Sequence, residues 1–341
     1  ISRFVGSVRR FKLEVWNQLR GGCTVKRRNL VVLLGVMACF LATQVFAMTF
    51  VTIGTGGVGG TWYPLGGAIA EVLTNGGIDV KATSRATGAS QENCRLVSAG
   101  RVQMGMTMGV TLYQAYTGTG FFEKDGKQDL KLLMNMYPAP HHLVATKASG
   151  IEKFEDIRGR KVVFGSPGSG DEMLSTLIIL AAGMDPEKDL KKELLTYTES
   201  TMALKDGNID AAFWNFPTPA PAYMEMLAVR EMNLIPLPEE VVKKVVEDNS
   251  FMLPYVIKAG TYDKQDKDVL TVADGNFLVV SSKMDEKLSY DLVKTILENK
   301  DAFLRVTKQA EHFVTEEASK GIIPFAEGAK KYYKEKGITV E

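Results

Sequence analysis

The sequence predicts an α/β protein of two doubly wound lobes joined by crossing segments. Two observations carry the fold class. Apolar, β-branched runs alternate with amphipathic stretches along most of the chain, and a glycine-rich turn sits between a strand and a helix twice, at Gly54 to Gly59 and at Ser166 to Asp171. Strands alternating with helices imply parallel sheets covered on both faces.

Taken in order, Thr49 to Ile53 reads as the first strand, followed by the first glycine turn and a helix from Leu65 to Leu73. Val80 to Thr83, Ser90 to Ala99, Val102 to Met108 and Thr111 to Tyr116 continue as strand, helix, strand and helix. Leu130 to Tyr137 and His142 to Thr146 are extended segments joined by Pro138-Ala-Pro140, which cannot be helical, so a domain crossing belongs there. A second series follows: strand Lys161 to Phe164, the loop to Gly170, helix Glu172 to Ala182 ended by Gly183, a helix near Met202 to Lys205, strand Ala211 to Trp214 and a helix near Ala222 to Val229. Tyr255 to Ala259 and Asn276 to Val280 are strand-like, and an amphipathic helix, Ser289 to Phe303, leads to further helical turns. The expected division is residues 48–140 with 268–341 as lobe 1 and 141–267 as lobe 2.

At 341 residues, 45% hydrophobic and 24% charged, the chain is long enough for two cores. Residues 1–47 carry eight Lys/Arg against Glu14, so the net charge of +1 becomes −6 for the remainder, which removes the electrostatic basis for a nucleic-acid partner. Lys26-Arg27-Arg28, the apolar run Leu30 to Ala42 and the small residue Ala47 have the order of a signal peptide, shorter than the roughly 20 residues of a spanning helix. Residues 25–47 are therefore expected to be cleaved near Ala47 on export to the periplasm. Residues 1–24 read as untranslated upstream sequence, with Val25 as the start codon. Cys23 and Cys39 would leave with the leader, and Cys94 alone cannot form an internal disulfide.

Gly54-Thr-Gly56-Gly-Val-Gly59 matches a dinucleotide-binding fingerprint, which also requires an acidic residue closing the second strand. Here Asp79 stands at the start of that strand and Thr83-Ser84-Arg85 at its end, so no nucleotide or other cofactor is expected. The two glycine turns instead suggest two positive helix ends directed at one anion. His141, His142 and His312 lack zinc spacing, no serine lies in a nucleophile elbow, and His142 alternates with core residues as a structural histidine would. The chain is expected not to be an enzyme and to hold no metal.

The motifs Thr55 to Gly67 (TGGVGGTWYPLGG), Gln91-Glu-Asn93 with Arg95-Leu96, Leu112 to Tyr116, Tyr137-Pro138 with His142 to Val144, Gly159 to Val163, Pro167 to Gly170, Leu204 to Ala211, Ala259 to Tyr262 and Tyr332 to Gly337 occur in this order. In these the sequence resembles the TAXI family, solute-binding proteins of tripartite ATP-independent periplasmic (TRAP) transporters, across residues 49–338. The resemblance implies a type II periplasmic-binding-protein fold, a small organic ligand, an integral-membrane TRAP permease as partner and a monomer. Family members that bind glutamate or related carboxylates imply the ligand class. By the same resemblance Gly57, Thr61, Trp62, Tyr63, Ser90 and Asn93 line the first lobe's side of the cleft, and Gly168, Ser169 and Gly170 the second lobe's side. Thr107 with Met108, and Trp214 with Asn215, complete the expected ligand-binding set.

Three departures bear on the ligand. Met108-Gly109-Val110 replaces polar residues at the end of the third strand, Asp171 replaces a threonine, and Asn215-Phe-Pro-Thr-Pro219 replaces a more flexible segment. An ionised Asp171 would take the donors that a ligand carboxylate needs, or pair with a ligand amine. The expected ligand therefore has one anionic group and an apolar or aromatic portion, rather than being glutamate. A periplasmic sensor protein, or an exported enzyme, is the competing function.

Overall fold

The computed structural model describes residues 48–249 and 251–340; the signal-peptide, start-codon and leader-cysteine expectations lie outside the described residues. The first half is built from β1 (Thr49–Gly54), α1 (Trp62–Asn75), β2 (Val80–Arg85), α2 (Ser90–Ser98), β3 (Met104–Met108) and α3 (Gly109–Thr117). Its core forms because Leu65, Ile69 and Leu73 recur at four-residue spacing on one face of α1 and meet Val51 and Ile53 of β1.

A long strand, β4 (Lys131–Thr146), leads into the second half: β5 (Lys161–Val163), α4 (Gly170–Ala181), β6 (Lys191–Glu193), α5 (Tyr197–Asp206), β7 (Ala211–Asn215), α6 (Pro221–Val229), β8 (Met232–Ile235), α7 (Glu239–Asp248) and β9 (Leu253–Ile257). Adjacent residues of its strands enter opposite cores. Leu143, Val162 and Phe213 face one apolar cluster, while Val144, Val163 and Trp214 face another, so this sheet is covered on both sides. Then β10 (Val269–Val280) returns to the first half, followed by α8 (Glu286–Glu298), the single turns α9 (Lys300–Phe303) and α10 (Thr315–Ala318), and α11 (Glu327–Glu335).

The strands run in the order β2-β1-β3-β10-β4-β7-β5-β6, with β8 beside β4 and β9 beside β10. Each half contains a parallel trio, β2-β1-β3 and β6-β5-β7. The sheet as a whole is mixed, not the parallel arrangement expected from alternation alone. The two long strands β4 and β10 are antiparallel to each other and to the trios they join. They cross between the halves where Tyr137 to Pro140 pairs with Ala273 to Asn276.

Several boundaries differ from expectation. Pro138 and Pro140 interrupt no strand: β4 runs through both, and between them the Asn215 amide donates to the Ala139 carbonyl at 2.9 Å. The terminal amphipathic helix divides at Asn299. β10 begins at Val269, seven residues before the expected strand, and β6, β8 and α7 are additional.

The C-terminal helix locks the first half. Tyr333 reaches the Leu133 carbonyl at 3.0 Å, and Gly328 lies so close to α8 that an added Cβ would overlap the Glu286 carbonyl oxygen and the Tyr290 nitrogen. Because these are backbone atoms, relief requires the helices to separate. Gly328→Ala is expected to lower unfolding free energy by about 1–3 kcal/mol in urea titrations.

Candidate functional site

The β1–α1 turn is anchored at its base and free at its tip. Thr55 is buried, its N–H and Oγ1 both donating to the Arg85 carbonyl (3.0 and 2.8 Å), while the Asn93 amide donates to the carbonyls of Thr55 (2.6 Å) and Met106 (2.7 Å). Beyond this anchor Gly56 to Gly60 makes a tight turn, with Gly60 N–H donating to the Gly57 carbonyl at 3.1 Å. Helix α1 then starts with no side-chain cap and no acidic residue in its first turn. Its leading N–H groups have no partner within the helix, so the helix end keeps its partial positive charge.

The equivalent turn in the second half is capped. Ser169 Oγ accepts from Glu172 N–H at 3.1 Å, and the Glu172 carboxylate accepts from Gly168 N–H at 2.8 Å. Helix α5 has a complete capping box, Thr196 with Glu199. Helix α3 is capped from another element, Val110 N–H donating to Asp274 of β10 at 2.9 Å.

These turns enclose a cavity of about 380 Å³ between the halves. Five helix starts reach it: Thr61-Trp62 of α1, Ala89-Ser90 of α2, Met108 before α3, Ser169 to Asp171 of α4, and Thr196 to Glu199 of α5. Trp62, Tyr137, Tyr197 and Phe216 give it aromatic walls. Among the described residues the charged lining consists of Asp171 and Glu199, with neither Lys nor Arg. The two halves touch at its rim, where Gln91 N–H donates to the Gly168 carbonyl at 3.2 Å.

Asp171 is the buried acid of the cavity wall. Its Oδ1 accepts from Asn215 N–H at 2.8 Å and its Oδ2 accepts from the Tyr197 hydroxyl. The donors that Asp171 takes up come from β7 and α5, while in its own helix the Ser169 cap serves the Glu172 N–H. Burial pushes its carboxyl up to about 7, against the lowering effect of its Tyr197 and Asn215 bonds. Burial likewise pushes Asp274 up to about 7, and pushes His141 down to about 3 and His142 down to about 4. His142 is fixed between the Pro140 carbonyl (3.1 Å) and the Tyr262 hydroxyl (2.7 Å), inside the second half.

Of the residues singled out from sequence, Gly57, Thr61, Trp62, Ser90, Met108, Ser169, Gly170, Asp171 and Asn215 line the cavity. Five others lie outside it. Tyr63 points outward, Asn93 staples the turn from behind, Thr107 is enclosed beside Cys94, Gly168 contacts Gln91, and Trp214 donates to Ser200 Oγ beneath Phe216. Tyr137, Tyr197, Phe216 and Asn276 line it without having been singled out. The Thr196-x-x-Glu199 capping box was a legible signal for α5 and hence for Tyr197. Tyr137 and Asn276 sit mid-strand, where only the crossing brings them together.

A profile described as the NMT1-like family matches residues 53–337. Among solved structures, malate-bound MatC of Rhodopseudomonas palustris superposes with TM-score 0.52 at 14% identity, covering 77% of this chain and 89% of that one. A protein of Bordetella bronchiseptica RB50 gives 0.50 at 17% identity, covering 84% and 89%. The periplasmic aliphatic sulphonate binding protein SsuA of Escherichia coli gives 0.46 at 16% identity, covering 84% and 83%. The mixed α/β architecture is a periplasmic-binding-protein fold.

The buried acids leave a signature in stability. Asp171 titrates near 7 when folded and near 3.9 when unfolded, so its contribution is fully present below about pH 4 and is lost as pH rises through 7. That loss is on the order of 4 kcal/mol. The histidines act in the opposite sense, their contribution falling as pH drops below about 6.5, so the wild-type profile does not show the acid by itself. The difference between Asp171→Asn and wild type isolates the acid. The variant is expected to gain relative stability from about pH 4 to about pH 7 and to level off above it in thermal melts.

Proposed function

The chain belongs to the NMT1-like family, and from that membership and the cavity we propose that it is an extracytoplasmic solute-binding protein delivering a small, carboxylate-bearing organic solute to a membrane transporter. The observation that carries the reading is the convergence of five helix starts on one cavity whose walls come from both halves. A cavity without Lys or Arg in its described lining holds an anion through backbone N–H groups and helix ends, the arrangement used wherever anions sit at helix N-termini. The uncapped start of α1 is the place for the carboxylate, and the aromatic walls suit an apolar body.

The lining also suits holding rather than transforming a ligand. Ser90 Oγ accepts from Met108 N–H at 3.2 Å and Ser169 Oγ caps α4, so two of the three cavity serines, Ser166 being the third, are committed to backbone donors. The motifs from Thr55 to Gly337 support the TAXI subtype and a TRAP permease as the receiving partner, and the basic-apolar leader supports a periplasmic location. We treat residues 48–140 with 268–341 and residues 141–267 as the two lobes, hinged where β4 and β10 cross. Ligand that bridges both lobes stabilises the closed form by its differential affinity for that form.

Native mass spectrometry of protein purified without refolding, followed by release and identification of any bound small molecule, tests the reading. A carboxylic acid released in one-to-one ratio is the expected result. A Cβ at Gly57 meets no atom within 4 Å, so Gly57→Val is expected to fold normally while occupying ligand space. A Cβ at Gly170 would press on Met108 across the cleft, so Gly170→Val is expected to hold the lobes apart. Each variant should lose at least about tenfold in affinity by calorimetry, with urea midpoints near wild type for Gly57→Val. Unchanged affinity in both would refute the cavity assignment.

A further inference from the structure

We propose that Asp171, with His141 behind it and Tyr197 beside it, determines the charge of the ligand: the cavity admits one anionic group, and a second enters only together with a proton. The inference rests on the anion-binding reading above and adds the residue that limits it.

His141 is buried in β4, and its ring state follows from its partners. Nε2 lies 2.9 Å from Ser175 Oγ, whose own proton is directed to the Phe164 carbonyl at 3.2 Å. With the Ser175 proton on the Phe164 carbonyl, Nε2 is the donor and Nδ1 presents a lone pair. That nitrogen has no hydrogen-bond partner among the described residues and faces Asp171 Oδ1 at 3.7 Å. A lone pair set against an ionised carboxylate is repulsive, so this arrangement is satisfied when a proton resides between them.

The surrounding groups offer no counter-charge. From β10, Asp274 adds a second buried acid whose Oδ1 has no hydrogen-bond partner among the described residues. From β4 come Tyr137 and the buried His142, and from α5 come Tyr197 and Glu199. On α4 itself, Glu172 is engaged by Lys192 at 3.4 Å, and Lys192 also reaches Glu187 at 3.0 Å. Negative potential thus collects at the Asp171 end, while the positive end of α1 remains uncapped at the Thr61 turn. A carboxyl pushed up to about 7 by burial gains or loses its proton near neutral pH. Protonated, it tolerates an anion; ionised, it disfavours one by at least about tenfold at a separation of a few ångströms.

The test is calorimetry with a chain-matched pair of probes, hexanoate and adipate, at pH 6 and pH 8, on wild type, Asp171→Asn and Tyr197→Phe, each checked for folding by thermal melt. Wild type is expected to prefer hexanoate by about tenfold or more at pH 8, with the gap closing at pH 6 and adipate taking up close to one proton, read from buffer-dependent heats. Asp171→Asn should gain about tenfold for adipate at pH 8 and lose the pH dependence of the preference. Tyr197→Phe should move the crossover to higher pH, because the lost hydroxyl favours the ionised carboxylate. A purely structural role would weaken both probes together. Equal binding of the two probes by wild type at pH 8, or no adipate gain in Asp171→Asn, overturns the proposal. Failure of both probes on all three proteins sinks the anion-binding reading beneath it.

Discussion

The crossing of β4 and β10 is the constraint on which the rest of the structure depends. Two antiparallel strands carry the chain between a pair of parallel trios, and at the crossing each strand leaves one set of neighbours before gaining the next. Backbone carbonyls exposed by that exchange must find other donors. Asn215 supplies one to Ala139, and Asn276 supplies another to Tyr137 at 3.3 Å. Both asparagines also line the cavity, so the groups that make the crossing possible are part of the cavity wall. Pro138 and Pro140 fit the same logic, since a residue without an N–H is least costly where a ladder changes partners.

Electrostatics divides the cavity. Helix starts concentrate there because each strand of a parallel trio hands its chain to a helix at the same edge, which makes that edge positive without any Lys or Arg. Three of the five starts are then offset by the protein itself, through Asp274, through Ser169 with Glu172, and through Thr196 with Glu199. What remains are the starts of α1 and α2 in one half, neither with a side-chain cap, and a buried carboxyl, Asp171, in the other. Such a cavity discriminates by charge distribution as much as by shape, since burial amplifies both the attraction and the repulsion.

Much of this was legible in the chain because it is local. The strand-turn-helix units and the glycine turns at Gly54 to Gly59 and Ser166 to Asp171 follow from patterns spanning fewer than twenty residues, while the nine cavity residues named beforehand came from the family resemblance of those segments. Hydrophobic periodicity, turn chemistry and helix capping are short-range physics. The capping box at Thr196 shows that even the missed start of α5 had a local signature.

What tertiary structure alone decided is equally specific. Alternation of strands and helices could not reveal that β4 and β10 run antiparallel to the trios, because strand direction in a mixed sheet depends on where a distant segment returns. Nor could it separate Asn93 and Trp214, which support the turns from behind, from Tyr137 and Asn276, which face the cavity. The sequence by itself determined that two glycine turns would open two helices in an α/β chain. The tertiary structure decided that both helices face one cavity, and that Asp171 looks away from its own helix toward Tyr197, Asn215 and His141. The physical reason is that a side chain's partner is chosen by what the fold brings within about 3 Å, and such contacts join positions far apart in the chain.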